Sequence, residues 1–372
     1  MIDTYGRTIS YLRLSVTDLC DLRCRYCMPE EGICKKSHEE MLTEDEMIAA
    51  VRAAASLGIN KVRVTGGEPL VKKNIISICG RIAQVPGIEQ LCITTNGIRL
   101  AEMAQQIKEA GVNRVNISLD TLNPEKYRFL TRRGNIDEAL RGLEAAINAG
   151  FEKVKINAVL IGGINDDEIR ELAALTMKYP IDVRFIELMP MYDSGDFGPE
   201  AYISADKVLE IMPELEPVAG QKRNQKLEGI ASTVRPAADS MPDFHRDLGG
   251  EPRLIYSCKQ EVDKTSQAAD KMADDDHGVA RLYKLPGALG YVGLINPVSS
   301  HFCASCNRIR ITADGHIKPC LHRAAEYSIK GMNEAEMKAQ LIRAISEKPE
   351  WHGELSSQSR SHAGRNMNQI GG

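Results

Sequence analysis

The sequence predicts an α/β fold: a partial (incomplete) TIM-type barrel of six βα units, followed by a smaller C-terminal domain of β-hairpin and helix. Three observations predict it. Short β-rich runs alternate with amphipathic helical stretches through the first half of the chain, and such alternation builds a parallel sheet with right-handed crossovers. The segments TDLCDLRCRYC, TGGEP, TTNG, SLD and ELMP all begin where those β-rich runs end, on the face where barrels of this kind place their chemistry. From about Gly220 the texture turns polar and loses its apolar periodicity, and order resumes only near Val279.

Taken in order, the expected strands are Tyr11–Val16, Lys61–Thr65, Gln90–Thr94, Arg114–Leu119, Lys153–Leu160 and Asp182–Glu187. Thr43 and Glu46 form a capping box that opens the first long helix, and Gly58 is its stop signal. A further helix is expected over Asp166–Tyr179, ended by Pro180. The expected domains are a barrel over residues 1–219, a polar insertion or linker over 220–278, a second domain over 279–346 and a tail over 347–372. The second domain reads as two β-like runs around a Pro-Gly turn, a cysteine group and a helix near Asn333–Ser346. Turn residues gather at strand ends in any fold, which accounts for the glycines and asparagines there but not for a loop with three cysteines. No repeat of solenoid type is visible.

Composition narrows the function. The formal net charge of −4 excludes a broad nucleic-acid footprint, so an anionic ligand must be met by a local group of Arg and Lys. No apolar run reaches the length of a membrane span. The opening MIDTYGRTIS lacks the pattern of a secretory signal, so a cytoplasmic protein is expected. In that reducing compartment, 10 cysteines point to metal or redox chemistry rather than to a disulfide framework.

Cys20, Cys24 and Cys27 offer three thiolates in one short loop. Three thiolates on a four-iron cluster leave one iron open to a small molecule, whereas structural zinc closes its shell with four ligands. Cys34 or His38 could supply a fourth. Cys303, Cys306 and Cys320 form a second group of three. It can be read as a zinc site completed by His301, His316 or His322, or as a second cluster with an open iron. Arg13, Arg63 and Lys155 alternate with apolar neighbours and so share one face of their strands, while Arg308 and Arg310 follow Cys306 directly. Such cations from different strands are what a triphosphate needs.

The first cysteine spacing, with Tyr26 before the last Cys and Gly66-Gly67-Glu68-Pro69 one strand later, resembles the radical S-adenosylmethionine superfamily. The two cysteine groups together, with RLSVTDLC, KVRVTGGEPL, TTNG, NISLD, RFIELMP, HFCASCNRIRITADG and the terminal Gly-Gly, resemble the GTP 3′,8-cyclase family, which opens molybdenum cofactor biosynthesis. The resemblance spans the chain except about residues 222–275. It implies two [4Fe-4S] clusters, S-adenosylmethionine as cofactor and GTP as substrate of a carbon–carbon lyase. It also implies S-adenosylmethionine contacts at Tyr26, Gly67, Ser118 and Met189. GTP contacts are implied at Arg13, Arg63, Thr94, Lys155, Arg308, Ile309 and Arg310, and a tail, Gly371–Gly372, that enters the site. In the implied reaction a 5′-deoxyadenosyl radical removes the ribose 3′ hydrogen, and the resulting carbon radical attacks C8 of guanine. A one-electron reductant of flavodoxin or ferredoxin type and the cyclic pyranopterin monophosphate synthase are the implied partners, with a monomer or homodimer as the assembly.

Residues 222–275 depart from the family pattern, which has a short connection there, and they include Cys258. Cys34 is unassigned, and Cys79 and Cys92 read as small core residues. Two other functions compete. A radical maturase acting on a peptide would carry a closed auxiliary cluster and need no triphosphate-binding cations. A non-catalytic metal-binding redox sensor would need no S-adenosylmethionine pocket.

Overall fold

Six strands alternate with helices over the first half of the chain, and their bounds follow the expected ones to within a residue. They are β1 (Tyr11–Ser15), β2 (Lys61–Thr65), β3 (Gln90–Thr95), β4 (Arg114–Ser118), β5 (Lys153–Leu160) and β6 (Asp182–Glu187). In this computed structural model residues 1–34, 36–191, 196–218, 279–356 and 361–371 are described. The six strands pair in parallel in chain order. The crossovers include α1 (Glu44–Ala55), α2 (Ile75–Ala83), α3 (Leu100–Glu109), α4 (Pro124–Thr131), α5 (Ile136–Asn148) and α6 (Ile169–Lys178).

Alternation along each strand sorts its side chains. Leu12, Leu14, Val62, Val64, Leu91 and Ile93 join the helices in one hydrophobic core, and each buried side chain of this size contributes roughly 2 kcal/mol. The residues between them, Tyr11, Arg13, Lys61, Arg63 and Cys92, face the other way, into the barrel. Cys92 is therefore buried as expected, but on the cationic face rather than in the apolar core.

The C-terminal segment adds strands to both edges of this sheet. These are β8 (Arg281–Lys284), β9 (Val292–Ile295), β10 (Arg308–Ile311), β11 (His316–Lys318) and β12 (Tyr327–Ser328), after a short β7 (Glu216–Pro217). Strand β9 pairs in parallel with β6, and β10 pairs in parallel with β1. The antiparallel pairs β8–β9 and β10–β11 then turn away from the barrel. The result is one 12-stranded sheet running from β12 to β7, and among the described residues no pairing joins its ends, so the barrel is partial.

The Thr43–Glu46 capping box is present, and Gly58 takes the left-handed conformation after α1. Helix α6 starts later than expected, after a 3₁₀ turn over Asp166–Glu168. The Glu168 carboxylate accepts from the Leu122 amide at 2.8 Å and from the Thr121 hydroxyl, which ties that turn to the loop after β4. The later helices are α7 (Lys207–Ile211), α8 (Glu334–Ser346), capped by Asn333, and α9 (Met367–Ile370) in the tail. The chain divides into two units, of which the second, Ala219–His277, lies outside the described residues, as do Cys258 and Gly372. No described helix is long and apolar enough to cross a membrane.

Candidate active site

Cys20, Cys24 and Cys27 occupy the loop after β1, all three half-buried and free. The loop is held from outside by Arg132, whose Nη1 donates to the carbonyls of Arg23 at 2.9 Å and Met28 at 3.2 Å. The Leu22 amide donates to Cys20 Sγ at 3.4 Å. Burial pushes all three thiols up, Cys27 to about 12, and the neighbouring sulfurs push Cys24 further. Thiolates in such a place need a metal's charge, so the donor set fits an iron–sulfur cluster. Cys34 and His38, the possible fourth donors, are exposed.

The loop after β2 packs directly against this one. The Gly67 amide donates to the Thr17 carbonyl at 2.7 Å, and a Cβ on Gly67 would lie 2.3 Å from the Leu19 oxygen. The glycine is thus required by the cysteine loop itself, where the sequence suggested only close approach to a ligand. Glu68, buried, accepts from the amides of Leu70 at 2.9 Å and Asn96 at 2.7 Å and from the Thr95 hydroxyl at 2.8 Å. Burial still raises its carboxyl to about 7. Tyr26 donates to Asp120 at 2.7 Å, joining the cysteine loop to the end of β4, and burial raises Asp120 to about 6. Ser118 ends β4 in register with Asn157, and Met189 packs against a small cluster of Met191, Ala363 and Ile370.

The barrel face carries the cations. Arg13 lies in register between Arg310 on β10 and Arg63 on β2. Arg63 donates to the Tyr11 hydroxyl and, at 3.3 Å, to Thr94. Arg308 sits 5.6 Å from the Tyr11 ring and 5.4 Å from Phe302. Lys155 is buried, with Nζ 3.8 Å from Asp182. Ile309 points the other way, fully buried in the core. Burial, and then the charges of Arg310, Arg63 and Arg308, hold Arg13 well below the usual range, and burial with Arg308 brings Arg310 to about 10. Burial would raise Tyr11, but Arg63, Arg13 and Arg308 outweigh it and lower the phenol. Cations crowded in this way repel one another, and an anion between them would relieve that repulsion.

The second cysteine group lies at the far end of the strands. Cys303 and Cys306 precede β10, and Cys320 follows β11, which runs back antiparallel to it. All three therefore sit at the N-terminal ends of the parallel strands, opposite the first group, with the cations between. Burial raises Cys303. In Cys306 the charges of Lys348 and Arg308 outweigh burial and lower the thiol. Lys348, buried, also donates to the carbonyls of Pro319 at 2.6 Å and Arg308 at 3.0 Å. Nothing in the sequence marked it, because its partners lie on other elements. Of the histidines considered, His316 pairs with Asp314 at 3.3 Å and His322 with Ser361 at 3.2 Å.

The tail enters between the two groups. The Gly371 carbonyl accepts from Arg310 Nη1 at 2.8 Å and from Arg13 Nε at 3.3 Å and Nη2 at 3.2 Å. Gly371 has φ +77, and a Cβ there would lie 2.3 Å from Thr65 Oγ1. The backbone of Asn368 hydrogen-bonds Cys27, and its side chain donates to the Asp18 carbonyl at 3.1 Å. Nothing in the sequence marks Asn368 beyond the capping box from Asn366 to Gln369 that surrounds it.

Residues 14–176 match the Radical SAM superfamily, and residues 250–354 match Molybdenum Cofactor Synthesis C. Proteins called GTP 3′,8-cyclase are similar along the whole chain. That of Alkaliphilus oremlandii is 43% identical over 375 residues, covering 100% of both chains. Those of Alkaliphilus metalliredigens and Moorella thermoacetica are 41% and 40% identical, again with 100% of both chains covered. Matched lengths of this kind mean that residues 222–275 are not an addition peculiar to this chain, as the sequence alone suggested. Among solved structures, Streptococcus suis SuiB bound to S-adenosylmethionine has a TM-score of 0.57 at 13% identity, covering 93% of this chain and 67% of that one. At that identity the likeness extends to the fold alone.

Proposed function

We infer that this chain, which belongs to the GTP 3′,8-cyclase family of radical S-adenosylmethionine enzymes, converts GTP to 3′,8-cyclo-7,8-dihydro-GTP, the first step of molybdenum cofactor biosynthesis. The observation that carries the residue roles is the cationic face between two open-ended cysteine groups. When bound, a [4Fe-4S] cluster on Cys20, Cys24 and Cys27 with S-adenosylmethionine supplies a carbon radical able to take the ribose 3′ hydrogen.

The chain's own residues bind, orient and enclose. Tyr26, fixed by Asp120, together with Gly67, Ser118 and Met189 lines the S-adenosylmethionine site; Gly67 serves through its carbonyl, since its amide is engaged by Thr17. Arg13, Arg63, Lys155, Arg308 and Arg310 hold the triphosphate, Thr94 adds a hydroxyl, and Ile309 contributes backbone alone. Cys303, Cys306 and Cys320 would hold a second cluster, which would supply an open iron for the edge of guanine and so leave the ribose toward the first group. The tail, Gly371–Gly372, closes the cavity, keeping the reacting carbons close and water out. A one-electron reductant of flavodoxin or ferredoxin type would supply the electron that this chemistry needs, and the cyclic pyranopterin monophosphate synthase would take the product. The enzyme works in the cytoplasm, as a monomer or homodimer.

A peptide maturase is disfavoured, because buried arginines crowded in this way have no role toward a peptide backbone. The test is anaerobic: reduced, cluster-loaded protein is mixed with S-adenosylmethionine and GTP. We expect 5′-deoxyadenosine and the cyclised nucleotide to appear together, with iron near eight per chain. Formation of 5′-deoxyadenosine only with some other co-substrate would overturn the reading.

A further inference from the structure

Beside the second cysteine group the ligand atoms of His301, Cys303 and His352 all lie within 4.8 Å of one another. His352 is 7% exposed. Its Nδ1 lies 2.6 Å from the Gly353 carbonyl, which fixes the ring proton on that nitrogen and leaves the lone pair on Nε2. Nε2 is buried without a hydrogen-bond partner, although the Pro297 carbonyl also faces the ring. An imidazole that donates one nitrogen to a backbone carbonyl and holds the other buried with no close partner is set up as a metal ligand. The rings around it hold the imidazoles in place. His301 meets His352 edge-on at 5.2 Å and stacks on Trp351 at 5.8 Å, while His322 also meets His352 edge-on at 5.2 Å.

We propose that His301, Cys303 and His352 form a site for a single divalent transition-metal ion of the zinc class, and that this ion and a cluster on Cys303, Cys306 and Cys320 exclude each other. Two imidazoles and a thiolate suit Zn²⁺ or Co²⁺ in four-coordinate geometry, with water in the fourth position. Metal–ligand bonds of about 2.0–2.3 Å require the donors to draw in slightly, which the exposed His301 permits. Binding releases the Cys303 thiol proton to solvent and involves no change of oxidation state. Exclusion follows because both occupants need the same sulfur. That second clause rests on reading Cys303 as a cluster ligand, whereas the ion site stands without it.

The test uses full-length reduced protein carrying Cys20→Ala, Cys24→Ala and Cys27→Ala, which removes the other three-cysteine loop, freed of its remaining cluster and titrated anaerobically with Co²⁺. One equivalent should bind, giving a thiolate-to-cobalt charge-transfer band and the intense visible bands of four-coordinate cobalt, and Zn²⁺ should displace it. His301→Ala, at an exposed position that leaves folding intact, and His352→Ala should each weaken binding at least about tenfold. Cys306→Ala and Cys320→Ala should leave the bands in place. Bands lost in Cys306→Ala but retained in both histidine variants would put the ion on the cysteines and overturn the site. For exclusion, the same protein loaded with zinc is reconstituted with iron and sulfide; iron should stay near zero, against about four per chain without zinc. About four irons per chain with zinc still bound would sink the exclusion. Neither result bears on GTP-dependent 5′-deoxyadenosine formation by the cluster-loaded enzyme, so the two readings fail separately.

Discussion

Gly371 is the residue at which a single methyl group should separate catalysis from folding. A Cβ there meets Thr65 Oγ1 at 2.3 Å, on a backbone with φ +77, so Gly371→Ala must lift the tail off Arg13 and Arg310. We expect GTP-dependent 5′-deoxyadenosine formation to fall by about 100-fold, the scale set by misplacement of about an ångström. The thermal unfolding midpoint and iron content should not change, and an unchanged rate would remove the tail from the site. The two neighbours Ile309 and Arg310 should respond in opposite ways. Arg310→Ala removes a charged donor from the cationic face, and a charge-assisted hydrogen bond contributes about 1.5–3 kcal/mol. GTP affinity, read by equilibrium dialysis, should therefore drop at least about tenfold while cluster assembly continues. Ile309→Ala deletes a side chain from the core, costing about 3 kcal/mol of stability and sparing GTP affinity.

At the scale of the element, the N-terminus of α1 links local sequence to tertiary structure. Glu46 closes the capping box on Thr43 and also accepts from Lys330 Nζ at 2.7 Å and the Gly331 amide at 2.9 Å. Thr43→Ala should cost about 1 kcal/mol in chemical denaturation. Burial would raise the Glu46 carboxyl, but its bonds to Lys330, Thr43 and Gly331 outweigh burial and bring it to about 2. Between about pH 4.3 and that value the native state binds fewer protons than the unfolded chain. The contribution is therefore complete above this window and lost as pH falls through it. Wild type and Glu46→Gln should differ most in melting temperature above pH 5 and converge toward pH 2; a constant gap would refute the assignment. This capping box was legible in the sequence because a helix start is written in adjacent residues. The six strands were legible for the same reason, since each is a short β-rich run that ends in turn residues. Lys348 and Asn368 were not, because a lysine or asparagine in a polar stretch gives no local sign of burial. Their partners, Pro319 and Asp18, are brought to them only by the completed sheet.

For the whole molecule the decisive fact is that the C-terminal segment completes the sheet rather than standing beside it. The sequence marked a change of texture at Gly220 and a second cysteine group beyond it, but which strands pair is not a local property. Pairing β10 with β1 places Arg310 next to Arg13 and sends Cys303, Cys306 and Cys320 to the end of the barrel opposite Cys20, Cys24 and Cys27. Pairing β9 with β6 covers the other side. A chain stopped at Val218 would expose β1 and β6 as two parallel edges, and Leu12, Val183 and Phe185, now fully buried, would lose part of their cover. Parallel strands are ordinarily sheltered on both faces and at their edges. We therefore expect a fragment of residues 1–218 to aggregate, or to show a broad, non-cooperative melt by circular dichroism, even though it holds the complete first cysteine loop. If it ran instead as a monodisperse monomer in size-exclusion chromatography and unfolded in one sharp transition, β9 and β10 would be dispensable to the fold. Their role would then be confined to carrying Arg308, Arg310 and the second cysteine group to the cationic face.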